Sequence, residues 1–558
     1  MERNGAGWRE MRRLHSPYMT RKLLPDDRLG DFTADGRILT LTAMAALIGV
    51  ISAFVALALL RLIGFFTHLF YYHEIGSRLV SPADNRLGLW ALLVPIVGGL
   101  IVGLMARYGS QQIRGHGIPE ALEAILIGQS RMSARVAMLK PLSSAISIGT
   151  GGPFGAEGPI IMTGGALGSL FGQAFHLSPA ERKTLLVAGA AGGMAGVFGT
   201  PLAAALLAVE LLLFEWKPRS FIPVACAAAV AGAVRVPLLG TGPLFPVPPH
   251  AALTAGGLVI ALGLGIAAGF GSGLLTWLVY ACEDLFRKVP IHWMWWPLLG
   301  GAVIGLGGLL SPRALGVGYD SIHDLLTGQL VGVALLGLIV TKAVIWAVAL
   351  GSGTSGGVLA PLLLMGGALG ALEAHWIPTG DAGLWAALSM GAMMGGTMRS
   401  PFTAVAFIVE LTHDVNVLPG LLVACVAADA VTVLLMKRSI LTEKVARRGY
   451  HVTREYMANP LHLIRVQDVM EPPVLPVADR PPAVSYPDEL LDHALTKMLE
   501  HEVDLLPVVN RSEPEQVVGY VARDGILAAW VQFARDEGRR EPGWLAAQFR
   551  KVRDRAAS

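Results

Sequence analysis

The chain carries two copies of one apolar unit, and that repeat constrains its fold more than any other feature. At a constant shift Lys140 matches Lys342, Gly149 matches Gly351, Gly151 matches Gly353 and Pro159 matches Pro361. The string Gly164-Gly165-Ala166-Leu167-Gly168 recurs as Gly366-Gly367-Ala368-Leu369-Gly370. At a slightly smaller shift Met194 pairs with Met394, Gly196 with Gly396, Pro201 with Pro401, and Val209-Glu210-Leu211 with Val409-Glu410-Leu411. Chance similarity between Gly/Ala-rich segments is the competing explanation; ordered matches that include Lys, Pro and Glu weigh against it. The spacing leaves open whether the copies run parallel or inverted.

The copies are built from membrane-length material. Hydrophobic residues make up 53% of the 558 and charged residues 15%, too apolar for a soluble fold of this size. Stretches long enough to span a bilayer are Ile38–Leu60, Trp90–Met105, Leu253–Tyr280, Pro297–Leu310, Val331–Leu350 and Leu418–Leu435. Others are short and interrupted by Gly or Pro: Pro159–Phe171, Pro201–Phe214, Pro361–Leu372 and Phe402–Leu411. Broken apolar helices persist only where protein or a water-filled cavity satisfies the freed backbone groups, so paired ones point to a binding site between the copies. The 67 glycines suit close helix packing.

Arginines and lysines from Arg3 to Arg37 precede the apolar region, and Lys437, Arg438, Lys444, Arg447 and Arg448 follow it. The positive-inside bias puts both termini in the cytoplasm and calls for an even number of crossings. Residues 1–37 lack a signal-peptide pattern. A net charge of +3 with no basic stripe excludes a nucleic-acid binder. Cys226, Cys282 and Cys425 lie in or beside apolar stretches and read as buried thiols. No nucleophile–base set, metal-ligand cluster or HExxH pattern lies in the membrane region, so neither an enzyme nor a metal or other cofactor is expected.

Beyond about Gln467 the pattern becomes that of a small α/β module. A polar helix is expected over Pro487–Glu502, strands over Leu505–Val509 and Val517–Val521, and a second helix from Asp524; Val474–Val477 reads as a strand of a shortened first copy. The expected organisation is an N-terminal segment 1–37, a membrane domain 38–449 with halves 38–240 and 253–449, a linker 450–466, the module 467–535 and a charged tail 536–558.

Three Gly-rich turns interrupt the apolar background: Gly115-His116-Gly117-Ile118-Pro119, Gly151 to Pro159, and Gly353 to Pro361. Each ends in Pro, which suits the first helical residue. Helix N-termini present free N–H groups and partial positive charge, so each turn is a potential anion cradle. None ends in the Lys-Ser/Thr of a nucleotide P-loop.

In this order the turns resemble the CLC family of chloride channels and proton-coupled chloride antiporters. Gly115–Pro119 fits its GxGIP element, Gly155–Pro159 its GxEGP element and Gly357–Pro361 its GxFxP element. The likeness runs from about Ile38 to Gly449. It implies an all-α polytopic membrane protein, a CLC-type inverted repeat of broken and tilted helices, with a small cytoplasmic α/β tail. It also implies a homodimer with one anion pathway per subunit, residing in a bacterial plasma membrane. Glu157 takes the place of the family's gating glutamate; a carboxylate at membrane depth costs about 2.5–3.5 kcal/mol on insertion scales and is functional by default. The implied anion donors are the amides of Val358 and Leu359, with Gly155, Ala156 and Gly158 further out and His116, Gly117 and Ile118 in the first turn. Lys140 and Lys342 either add positive potential or snorkel.

Departures from the family matter as much. His116 stands where many members have Ser, and Leu441 where many have Tyr, so two hydroxyls expected at the central anion are absent. Ala156 replaces a frequent basic residue. Glu210 aligns with the first of two adjacent glutamates common in antiporters, and Leu211 replaces the second, which relays protons. Glu210 therefore either carries a proton path or braces a helix. The missing acid favours channel-like, uncoupled conduction of chloride or a similar anion; proton-coupled antiport is the alternative, and a membrane ligand sensor a remote one. Residues 487–527 resemble one CBS unit. Val521 replaces the Ser or Thr usual in nucleotide-binding copies, leaving Asp524 to cap a helix and nucleotide binding doubtful.

Overall fold

A computed structural model describes residues 36–448 except 127, 129, 176 and 379, together with 461, 464–473 and 483–537. Nearly all of the N-terminal segment, most of the 450–466 linker, the strand expected at Val474–Val477 and positions 538–558 lie outside the described residues. The chain divides into two compact units, Met1–Arg454 and Glu455–Ser558.

In the first unit, eight α-helices of the N-terminal half are followed by eight in the same order, among the described residues. The first set is α1 (Arg37–Thr67), α2 (Leu93–Tyr108), α3 (Ile118–Leu126), α4 (Ala134–Gly149), α5 (Glu157–Gln173), α6 (Pro179–Phe198), α7 (Pro201–Leu207) and α8 (Pro218–Leu239). The second is α9 (Ala255–Lys288), α10 (Trp296–Leu310), α11 (Tyr319–Leu326), α12 (Val333–Gly351), α13 (Leu359–Glu373), α14 (Ala382–Met398), α15 (Pro401–Thr412) and α16 (Leu418–Leu435). A short α17 (Ile440–Ala446) follows. Seven helical segments among the described residues are long and apolar enough to cross a membrane, and Pro201–Leu213 and Pro401–Thr412 are apolar but shorter. Phe54, Phe270, Trp277, Leu306 and Val340 point outward from the long helices, as a lipid-facing exterior requires.

Small residues let the core helices touch backbone to backbone. A Cβ on Gly164 of α5 would strike the Gly189 carbonyl of α6, and one on Gly189 would strike the Gly164 carbonyl. The same contact recurs between Gly366 of α13 and Ser389 of α14. Helix α6 starts at a capping box, with the Glu181 amide donating to Ser178 Oγ (3.2 Å) and the Ser178 amide to Glu181 Oε2 (2.7 Å).

Two expectations need correcting. Helix α8 was missing from the sequence-read spans, because Pro223, Arg235 and Pro237 interrupt its apolar run, yet it is continuous over 22 residues. The turn prolines are not the first helical residues: α3 begins at Ile118, α5 at Glu157 and α13 at Leu359. A helix has no intrahelical partner for any of its first-turn N–H groups, so Pro is tolerated later in that turn. The shift makes Glu157 and Leu359 themselves the opening residues.

In the second unit α18 (Leu491–Glu500) precedes strands β1 (Leu505–Asn510) and β2 (Glu513–Ala522) and helix α19 (Arg523–Glu537). The strands pair antiparallel, Leu505 opposite Ala522 and Val508 opposite Gly519, with register shifts after Val508 and after Val509. Leu491, Met498, Leu506, Val508, Val521 and Ile526 form its core. Helix α18 is shorter than the expected Pro487–Glu502, since Leu490 is extended and pairs with Arg465. Asp524 lies in the first turn of α19.

Candidate functional site

The three Gly-rich turns meet. The Gly357 amide donates to the Gly155 carbonyl at 2.9 Å and the Gly155 amide to the Gly357 carbonyl at 3.3 Å. The Gly115 amide donates to Thr354 O (3.2 Å), and the Gly356 amide to Gly115 O (3.4 Å). Gly115, Gly117, Gly151 and Gly353 all have positive φ, the left-handed region in which a side chain is strained. Together these bonds bring the N-termini of α3, α5 and α13 to one point.

Glu157 sits there, fully buried. Its Oε1 accepts the Ala360 amide at 2.7 Å, beside the Leu359 amide. A Cβ on Gly155 would overlap the carboxylate, and one on Gly357 would stand 3.0 Å from its Cδ. Two glycines thus form the slot that admits the side chain. The second oxygen, Oε2, is buried without a hydrogen-bond partner among the described residues. A negative group on the opening amides of a helix is stabilised by the free N–H groups and the helix dipole. The carboxylate therefore occupies the kind of seat that would hold a small anion.

The implied anion donors are placed as follows. Val358, Leu359, Ala156 and Gly158 are buried around this point, Val358 and Ala156 as the caps of α13 and α5. The Gly155 amide is spent on Gly357, and the Gly117 amide on Glu120 Oε2 (3.0 Å). Ile118 is buried at the start of α3. His116 is buried, and its Nδ1 has no partner among the described residues; Glu120, Lys444 and Lys140 surround it electrostatically. Leu441 is buried in α17 and brings no hydroxyl. Sequence reasoning missed Ala360, the variable position between Leu359 and Pro361 in the GxFxP element.

Neither lysine snorkels. Lys140 Nζ donates to the carbonyls of Ile113 (2.9 Å) and Gly115 (2.7 Å) and to Ser355 Oγ (3.1 Å). Lys342 Nζ donates to the carbonyls of Ala314 and Gly316, both at 2.9 Å. Each lysine ties down a Gly-x-Gly turn, which exposes a fourth turn that sequence reasoning missed: Gly316-Val317-Gly318-Tyr319, the repeat mate of Gly115-His116-Gly117-Ile118. It lacks a proline, and its signal was a pair of glycines 26 and 24 residues before Lys342, each one residue further than Gly115 and Gly117 stand from Lys140.

Glu210 and Glu410 exchange roles across the repeat. Glu210 accepts the amides of Phe402 (3.3 Å) and Thr403 (2.8 Å) and the Thr403 hydroxyl (2.5 Å) at the start of α15. Glu410 accepts the amides of Leu202 (2.9 Å) and Ala203 (2.8 Å) at the start of α7. Each half caps a helix of the other, the reciprocal contact that a twofold relation produces. Leu211 is fully buried among apolar neighbours.

A cavity of about 590 Å³ borders the first turn, lined by Arg114, Glu120, Arg131, Trp293, Lys444 and Arg448 among others. Lys444 pairs with Glu120 (2.7 Å), Arg447 makes two bonds to Asp284 (2.5 and 3.1 Å), and the Arg114 guanidinium lies 4.6 Å from the Trp293 ring centre. The two ion pairs hold α17 and the residue after it against α3 and α9.

Residues 98–433 match the model of the voltage gated chloride channel family. The chain is 31% identical over 415 residues to the voltage-gated ClC-type chloride channel ClcB of Salmonella typhimurium, covering 72% of this chain and 98% of that protein. It is 31% identical over 359 residues to a putative chloride channel protein, ClcB-like, of Ralstonia nicotianae, covering 62% of this chain and 83% of that protein. Among solved structures, a slow cyanobacterial Cl⁻/H⁺ antiporter has a TM-score of 0.66 at 22% identity, covering 75% of this chain and 99% of that one. A CLC-type fluoride/proton antiporter has a TM-score of 0.60 at 22% identity, covering 72% and 97%. The chain belongs to the CLC family of voltage-gated chloride channels and transporters. It is an integral, multi-pass anion-transport protein with the CLC-type inverted repeat, and not an enzyme.

Proposed function

We propose that the protein conducts chloride, or a closely similar anion, without proton coupling, through a pathway gated by Glu157. One observation carries the reading: the Glu157 carboxylate is seated on the opening amides of α13, where a permeant anion would be solvated. Amides suit that task because they supply partial charge without holding a halide too tightly to leave. Displacement or protonation of Glu157 frees the seat. Val358, Leu359 and Ala360 supply the central donors, and Ala156 and Gly158 the flanking ones. With no hydroxyl from His116 or Leu441, the central site is less polar than in many relatives. The absence of coupling is supported by Leu211, which has no proton to carry, and by Glu210, whose carboxylate is committed to capping α15.

Proton-coupled antiport is the second reading. It is favoured by Asp429 of α16, a second acid within electrostatic reach of Glu210. Under either reading the protein works as a homodimer in a bacterial plasma membrane with both termini cytoplasmic, and its tail is a CBS-like regulatory or dimer-contact module. Reversal potentials of the purified full chain in lipid bilayers under a proton gradient separate the two. Uncoupled conduction leaves the reversal potential at the chloride value; a proton-linked shift establishes antiport.

A further inference from the structure

When an anion takes its seat, the Glu157 carboxylate needs another place inside the buried site. Two cations lie nearby, but both are committed. Lys342 Nζ is held by the Ala314 and Gly316 carbonyls, and Arg235 reaches the Gly240 carbonyl at 3.2 Å. The Tyr319 hydroxyl is not committed. It is buried and has no hydrogen-bond partner among the described residues.

Tyr319 opens α11 behind Gly318, whose φ is +83°. Its ring meets Phe245 edge-on, centroids 5.4 Å apart, and the Phe245 amide donates to the Leu411 carbonyl at 3.0 Å. The phenol and the Glu157 carboxylate are near enough to interact electrostatically. Glu157 Oε2, like the phenol, is buried and without a partner among the described residues. A buried polar atom left unpaired carries a desolvation cost, so a donor and an acceptor in this state gain by meeting.

Resting on the Glu157 reading above, we propose that the Tyr319 hydroxyl receives the Glu157 carboxylate when an anion displaces it from the α13 amides. Tyr319 is then a positioning residue of the open pathway. The phenol keeps its proton and donates a hydrogen bond; no proton is transferred. The charged groups acting on this pair are Lys342 of α12 and Arg235 of α8; Asp320, His323 and Asp324 lie on the Tyr319 helix itself, where Asp320 interacts with the other two.

The test is Tyr319→Phe in the full chain, reconstituted in liposomes, with chloride efflux followed across pH. Loss of a hydrogen bond to a carboxylate is expected to lower efflux at neutral pH by about tenfold. Efflux rejoins the native value in acid, where a protonated Glu157 no longer needs the donor. In a Glu157→Ala background the same substitution leaves efflux unchanged, because the displaced group is gone; retained flux there also shows that the variant folds. Efflux equal to native at every pH, or an equal loss in the Glu157→Ala background, overturns the proposal. Failure of Glu157→Ala alone to raise efflux would instead defeat the gating reading beneath it.

Discussion

The Gly155–Pro159 and Gly357–Pro361 turns share a backbone and differ at one decisive side chain. Gly155 corresponds to Gly357, Ala156 to Val358, and Glu157 to Leu359. Both open a buried helix, and they bond to each other through Gly155 and Gly357. One copy contributes an acid and the other contributes the amides that receive it. Elsewhere the halves stay matched: Lys140 and Lys342 each bind turn carbonyls, and Glu210 and Glu410 each cap the opposite half. The duplication thus supplies a symmetric scaffold, and a single substitution in it turns two equivalent helix ends into a seat and a plug.

The largest effect should come from erasing that difference. Glu157→Ala or Glu157→Gln removes the charged competitor for the α13 amides. Chloride efflux from liposomes is expected to rise by about tenfold or more, the scale of a hydrogen bond to a charged group, and to lose its pH dependence. Retained pH gating would break the comparison.

The lysines sharpen it. Each is fully buried and holds carbonyls, so Lys140→Met and Lys342→Met should lower stability alike, by about 1–3 kcal/mol for each buried carbonyl left without its donor, read by thermal unfolding in detergent. Only Lys342 interacts electrostatically with Glu157, so only its variants that still fold should shift the pH profile of efflux. Equal pH effects from both would dissolve the distinction between seat and plug.

The caps should give the smallest and most symmetric response. Glu210→Gln and Glu410→Gln each weaken a helix N-terminal cap, for about 1 kcal/mol, measured as matched shifts in unfolding midpoint. Under uncoupled conduction neither changes proton movement. A proton-flux change confined to Glu210→Gln would support antiport.

The parts of this architecture written in local chemistry were readable from the chain. The repeat, the broken helices and Glu157 all rest on Gly, Pro and acid residues that an apolar background makes conspicuous. Helix α8 was hidden because Pro223 and Pro237 resemble breaks, although helix packing sustains them. The fourth turn was hidden because a Gly-x-Gly pair in a Gly-rich chain stands out only once Lys342 is seen to bind it. That Glu210 braces a helix was one of the two readings open in the sequence; which helix it caps was hidden, since Glu210 and Thr403 meet only through the twofold arrangement of the halves.

If Glu157 and a permeant anion compete for the same amides, each should be found there when the other is absent. Anomalous diffraction from crystals of native protein and of Glu157→Ala grown in bromide tests it directly. Competition gives a bromide peak against the Leu359 and Ala360 amides in the variant, and in native protein a carboxylate in that place. A bromide bound there beside an unmoved Glu157, or no peak there in the variant, would contradict it.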